Sequence, residues 1–511
     1  MYKGFMSRIP KLKYSLDNID WQLFSASSFV LFAMVFVILI FPQWSAEKID
    51  LLYISATKKY GILYIIIAIA LLFFLLYVAI SKYGNIVLGD PGTAYSTFSW
   101  ASMLFCAGIG ASLIYWGATE WALYYKAPPF GLEPGSDEAI LWAASYGMFH
   151  WGPIGWSFYC LPALALACSY HVKKVPSLRL SSACEPVLKS YTTKYPGRLV
   201  DLFFLLGVIA TAATGLGFGT SLVSSVVTEL TGAKDGLALQ IIIILLATSL
   251  ISFSVYRGLD KGIKVLSSVN AGLALIFVAF VLILGPTRFI LEMGVVSVGH
   301  AIQNFGTMLS WTDPLQQSDF VENWTVFYWA WWLAMGPFVG MFVCKISQGR
   351  TIRQLIFGML GWGSLGCALF FVVLGNYALF MELEGNYPVV EQVVTHSPAS
   401  AIAGLVALLP LGGFWLFFLA VIGLIFMATT YDSASYTLAA GATKSLARNE
   451  HPAIWHQVFW ALVLGLLPIG LLFVGGLREL QTASLIASFP LLGIYIMLLV
   501  STMRMLKEIK P

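Results

Sequence analysis

Residues 324–342 read WTVFYWAWWLAMGPFVGMF, an apolar run with four tryptophans in its first nine positions: Trp324, Trp329, Trp331 and Trp332. Tryptophan usually sits at a membrane border or singly in a core. On a helix, Tyr328, Trp331, Trp332 and Met335 fall at i, i+3, i+4 and i+7, so they share one face. What that face serves depends on the chain around it.

That chain has 511 residues, 59% of them hydrophobic and 11% charged, with mean hydropathy +0.82. Soluble domains carry about 25% charged residues, so the polar surface needed for a soluble particle is missing. Apolar runs of about 20 residues recur along the whole length, the mark of spanning helices. The fold class is therefore an all-α membrane protein. Twelve spans are expected, near 25–42, 61–81, 97–124, 139–168, 199–230, 237–256, 265–286, 324–346, 353–378, 412–443, 455–475 and 483–504. The basic N-terminus leads into the apolar run Ser27–Phe41, which reads as a span rather than a signal peptide. With both termini placed inside, most of the 29 lysines and arginines fall on the cytoplasmic side. The stretch from Arg288 to Glu322 is less apolar and is expected to form an amphipathic helix on the outer face. The segment after the last span is short, so no large regulatory domain is expected there.

Zinc, nucleotide, P-loop and nucleophile-elbow motifs are absent from the sequence, so an enzyme is not expected. The net charge of +4 belongs to membrane-flanking loops and does not point to nucleic acid. Six cysteines (Cys106, Cys160, Cys168, Cys184, Cys344 and Cys367) lack metal spacing and read as small buried hydrophobes.

Two spans carry signals of a weakened backbone. The third contains CAGIGAS, with Gly108 and Gly110 in mid-membrane; the tenth contains FMATTYDSASYT, polar residues deep in an apolar run. Unwound backbone at this depth is tolerated only where it lines a cavity or is buried in protein, as in secondary transporters with inverted repeats. Freed carbonyls and hydroxyls there suit a cation such as Na⁺. The alternatives are close helix packing at the glycines and hydroxyls bonding back to their own helix. Asp432 is a functional candidate by depth alone, or the cap of a half-helix.

A second aromatic set, Trp151, Trp156 and Tyr159, lies in FHWGPIGWSFY of the fourth span. Two such patches on separate helices can form the walls of a box for a quaternary ammonium, whose methyls donate no strong hydrogen bond and face the ring quadrupoles; the alternative for Trp331 and Trp332 is an interfacial belt or simple packing. Trp324, at the start of its span, reads instead as an interfacial anchor. His150 reads as a structural donor. Glu120, in YWGATEW, faces water or pairs locally and is given no role.

WTVFYWAWW followed by KISQGRTIR resembles the signature of the betaine–choline–carnitine transporter family, as do FHWGPIGW, YWGATEW, PPFGLEPGS and TTYDSAS. The resemblance runs from about residue 80 to the end. It implies a LeuT-like fold of two five-helix inverted repeats. The segments would be 1–90 (N-terminus and helices 1–2), 91–286 (first repeat), 287–323 (periplasmic amphipathic helix), 324–504 (second repeat) and 505–511 (tail). It also implies a homotrimer in the bacterial inner membrane. The implied substrate residues are Trp151, Trp156, Tyr159, Tyr328, Trp331, Trp332 and Met335, with Gly108 and Gly110. Met335 stands where betaine carriers have another tryptophan and carnitine antiporters a tyrosine. The implied sodium site takes Cys106 and Ile109 from the third span and Phe426, Thr429 and Thr430 from the tenth; Phe338 matches one member of a second site. Asn270 and Val339 replace the arginine and methionine of sodium-independent antiporters, and Ser112 replaces the aspartate of proton-coupled choline carriers. That pattern favours sodium-coupled symport of a zwitterion such as a betaine or carnitine. Substrate/product exchange without sodium is the alternative, and a non-transporting membrane sensor is the reading from another class. No organic cofactor is implied.

Overall fold

The computed structural model describes residues 16–90, 92–256, 260–446, 450–474 and 477–509. The basic N-terminus through residue 15, Arg257, Arg448 and the last two residues lie outside the described residues. Among those described there is no strand beyond two isolated bridges, and helices occupy all twelve expected stretches. The principal helices are α1 (Trp21–Ile40), α2 (Pro42–Ile80), α3 (Thr97–Ala107), α4 (Ala111–Lys126), α5 (Asp137–His150), α6 (Pro153–Ala167), α7 (Tyr195–Thr231), α8 (Leu237–Tyr256), α9 (Asp260–Leu284) and α10 (Thr287–Gln303). They continue with α11 (Val321–Ile346), α12 (Ile352–Leu383), α13 (Pro398–Ala407), α14 (Gly412–Gly441), α15 (Ile454–Val474) and α16 (Leu477–Glu508). Eight are long and apolar enough to cross a bilayer alone, ten if each of two bent pairs is one span. The membrane class thus stands, while the count of twelve goes beyond this measure. Outward side chains such as Phe29, Ile66, Phe73, Leu250 and Phe417 are exposed and apolar, as a lipid-facing surface requires.

Two expectations about helix breaks separate here. The third span is broken at Gly108–Gly110, where α3 and α4 meet at 58°. The tenth is continuous from Gly412 to Gly441. Its hydroxyls bond back along the helix: Thr429 Oγ1 donates to the carbonyls of Ile425 (3.0 Å) and Phe426 (3.2 Å), and Ser435 Oγ to that of Asp432 (2.9 Å). Thr429 and Ser435 are therefore satisfied without unwinding, and no half-helix begins at Asp432 for it to cap. The stretch after α9 turns away by 110° into α10, which buries Ile290, Gly294 and Ser297 and leaves Leu291, Val295 and Ile302 exposed.

The start of α1 and the end of α16 lie together at one end of the bundle, the termini end. Arg179 Nη2 meets Asp20 Oδ2 at 3.0 Å while its Nε donates to the Thr443 carbonyl, and Lys173 pairs with Glu508 at the other end of the chain.

The core packing joins α6 to α11 and α7 to α14. Both α6 and α11 carry an internal proline, Pro162 and Pro337. A proline in a helix cannot donate to the carbonyl four residues before it, which orphans Phe158 O and Leu333 O. One phenol lies between them, its single proton shared: Tyr495 Oη on α16 is 2.9 Å from Phe158 O and 3.0 Å from Leu333 O. Gly336 leaves room for it, since a Cβ there would stand 1.9 Å from that oxygen. Replacing Tyr495 with phenylalanine is expected to cost about 1–3 kcal/mol by leaving buried carbonyls unpaired. A thermal-melt comparison in detergent checks this: a lowered midpoint is predicted, and an unchanged one contradicts it.

Candidate functional site

Where α6 and α11 cross, the two aromatic sets meet. Trp151, at the turn between α5 and α6, sets its ring edge-on to Trp331 (5.5 Å between centroids) and to Trp332 (5.7 Å). Tyr159 packs on Trp332 at 4.5 Å, Trp156 lies 5.9 Å from the same ring, and Tyr328 stands 5.8 Å from Trp151. All six rings are buried. The sequence-derived walls are thus brought together, from helices separated by some 170 residues of chain.

Small residues set the spacing. A Cβ on Gly155 would meet Trp332 Cε2 at 2.5 Å, and one on Gly108 would meet Trp156 Cζ2 at 2.9 Å. Gly108 therefore places the helix break directly against the aromatic cluster. Gly110 is different, since a Cβ there would find only Ser112 Oγ at 3.9 Å. Just past it begins α4, whose first N–H groups have no partner within the helix and carry the positive end of its dipole. One turn on, Tyr115 stacks on Phe218, itself edge-on to Trp331. The indole N–H groups of Trp331 and Trp332 are buried with no hydrogen-bond partner among the described residues. Polar groups left this way are costly unless something accepts from them.

The residues expected to hold sodium are placed on α3 and α14 but are engaged locally. The Cys106 carbonyl accepts from the N–H groups of Gly108 and Ile109. Phe426 is buried and Thr430 half-buried on α14, and the Thr429 hydroxyl turns back to its own helix as described above. Of the six cysteines, five are buried and Cys106 is partly so, and all are free thiols.

The cluster is unequally enclosed. Away from the termini end, Trp116 packs edge-on to Trp324 at 5.8 Å and Tyr124 does so at 4.9 Å. Trp324, half-buried, is therefore also part of this inner seal. Toward the termini end, Met335 and Phe338 are half-buried and Phe342 is 43% exposed. That face looks at α14, because Lys345, one turn beyond Phe342, lies 4.9 Å over the Tyr436 ring. On α14 Ser433 is exposed.

Glu120 is the residue whose place the sequence hid. It is fully buried, at 0% exposure. Its Oε1 accepts from Tyr124 Oη, and its Oε2 accepts from Tyr328 Oη and, at 3.2 Å, from Trp151 Nε1. His150, also buried, has Nδ1 2.9 Å from Tyr124 Oη and Nε2 3.0 Å from Thr325 Oγ1, a structural role as expected. The only sequence cue was the i, i+4 spacing of Glu120 and Tyr124 in a span otherwise apolar.

Residues 22–511 match the model of the BCCT family, described as betaine/carnitine/choline family transporters. The chain is 34% identical over 434 residues to an uncharacterized transporter, YeaV, of Escherichia coli K12, covering 85% of this chain and 90% of that one. It is 35% identical over 417 residues to a carnitine transporter of Acinetobacter baumannii, covering 81% and 76%. A solved Na⁺-coupled sialic acid symporter superposes over 85% of both chains with 13% identity and a TM-score of 0.48.

Proposed function

Because this chain belongs to the betaine/carnitine/choline transporter family, and is a membrane transporter rather than an enzyme, we propose that it carries a zwitterionic quaternary ammonium compound of the carnitine or betaine type by sodium-coupled symport. The observation that carries this reading is the meeting of Trp151, Trp331 and Trp332 from two helices in a buried cluster. Ring faces hold a methylated ammonium without a hydrogen-bond partner, each contributing about 0.5–2 kcal/mol when desolvated. Trp156, Tyr159, Tyr328 and Met335 complete the walls. Two features suit a carboxylate at the other end of the ligand: the unpartnered indole N–H groups of Trp331 and Trp332, and the N-terminus of α4 past Gly108 and Gly110. The relative named a carnitine transporter supports the same class.

Sodium would be held by Cys106, Ile109, Phe426, Thr429 and Thr430, with Phe338 at a second position. It would tie the broken third span to α14 by recruiting the Cys106 carbonyl from its local turn. Transport then follows from rocking of two inverted repeats, 91–286 and 324–504, in a LeuT-like arrangement. In this reading both termini are cytoplasmic and the protein works as a homotrimer in the bacterial inner membrane. The expected result is that an inward sodium gradient drives accumulation of labelled carnitine or betaine in proteoliposomes. Equal uptake without sodium, dependent on preloaded substrate, would replace symport with exchange.

A further inference from the structure

Glu120 offers something the aromatic residues alone do not. A carboxylate with 0% exposure normally faces a lysine or arginine, yet among the described residues its ion-pair partner within 4 Å is His150 alone, at 3.9 Å. The contacts are met with that histidine neutral and protonated on Nδ1. In that arrangement Thr325 donates to His150 Nε2, His150 Nδ1–H donates to Tyr124 Oη, and Tyr124 donates to Glu120 Oε1. On the other oxygen, an indole N–H can only donate, so Oε2 accepts from Trp151, and Tyr328 donates beside it. Three donors on two oxygens are what an ionised, acceptor-only carboxylate requires. The cluster as a whole then carries one negative charge with no resident cation.

Its position gives that charge a use. Trp151 is the ring that edges on both Trp331 and Trp332, so the carboxylate lies one hydrogen bond behind the wall. A carboxylate accepting from an indole N–H also enriches the ring's π face, the surface that attracts a cation. Resting on the transport reading above, we propose that Glu120 is a specificity-determining positioning residue. It fixes Trp151 and supplies the field that makes the chamber prefer a quaternary ammonium to a neutral group of the same shape. It acts through the ring and does not touch the ligand. The missing aspartate at Ser112 therefore does not leave the site without a fixed anion.

The test uses full-length protein in proteoliposomes and two competitors of labelled carnitine uptake: a trimethylammonium compound and its carbon isostere, with tert-butyl in place of trimethylammonium. The wild type should favour the ammonium compound. Glu120→Gln, which keeps the shape and removes the charge, should lower that preference by roughly tenfold or more. The change should fall on KM, with Vmax altered less. Glu120→Asp retains the charge at shorter reach, so it should weaken both competitors and keep the preference. A preference that survives in Glu120→Gln overturns the inference. Should that variant fail to fold, loss of preference in Glu120→Asp overturns it as well. A wild type that ignores every trimethylammonium probe would instead defeat the transport reading.

Discussion

Replacing Trp332 with alanine is expected to raise KM for a quaternary ammonium substrate by at least tenfold. The ring touches three others of the cluster, Trp151, Trp156 and Tyr159, the last at 4.5 Å. Losing one cation-facing ring removes about 0.5–2 kcal/mol of binding. Cutting a buried tryptophan to alanine also opens a cavity worth about 3–5 kcal/mol of stability, into which Tyr159 and Trp156 would relax. The two effects compound, because the relaxed rings no longer form a wall. Trp332→Phe keeps a ring in place and should fall between wild type and alanine. Uptake kinetics in proteoliposomes, with a thermal melt to track folding, separate binding from stability. An unchanged KM in Trp332→Ala would return this residue to simple packing.

Gly155→Ala should be as damaging although it adds one methyl group. That carbon would lie 2.5 Å from Trp332 Cε2 and 2.8 Å from the His150 carbonyl oxygen. The backbone oxygen cannot give way, so the indole must. Overpacking of this kind costs about 1–3 kcal/mol, which a membrane protein of this size can absorb while remaining folded. The displaced ring is the one the substrate needs, so transport should fall to near background with the protein still inserted. Gly361→Ala, where a Cβ would meet nothing within 4 Å, is the control and should transport normally.

The parts of this molecule that were readable in sequence share a cause. Hydrophobic run length gives the helices, and helical spacing puts Tyr328, Trp331, Trp332 and Met335 on one face, so the walls of the cluster could be written down in advance. The Gly108–Gly110 break was readable because glycine weakens a helix without any tertiary help. The tenth span misled because Thr429 and Ser435 are as content inside a helix as at a break, and composition does not tell the two apart. The packing of Trp324 was hidden because its ring partners, Trp116 and Tyr124, lie some 200 residues upstream. Glu120 and Tyr495 were illegible for the same reason. A glutamate near the end of a span is ordinary until Tyr328 and Trp151 are found donating to it. A tyrosine in the last helix is ordinary until two prolines on other helices are found to have orphaned the carbonyls it serves.

The central claim is that the cluster recognises an ammonium by ring faces rather than by hydrogen bonds. A tryptophan-fluorescence titration of the purified protein with a series of amino-acid zwitterions bearing zero, one, two and three N-methyl groups tests it most directly. Each methyl removes an N–H that a ring face cannot satisfy, so affinity is predicted to rise along the series and be greatest for the quaternary member. Tightest binding by the unmethylated amine would contradict the account.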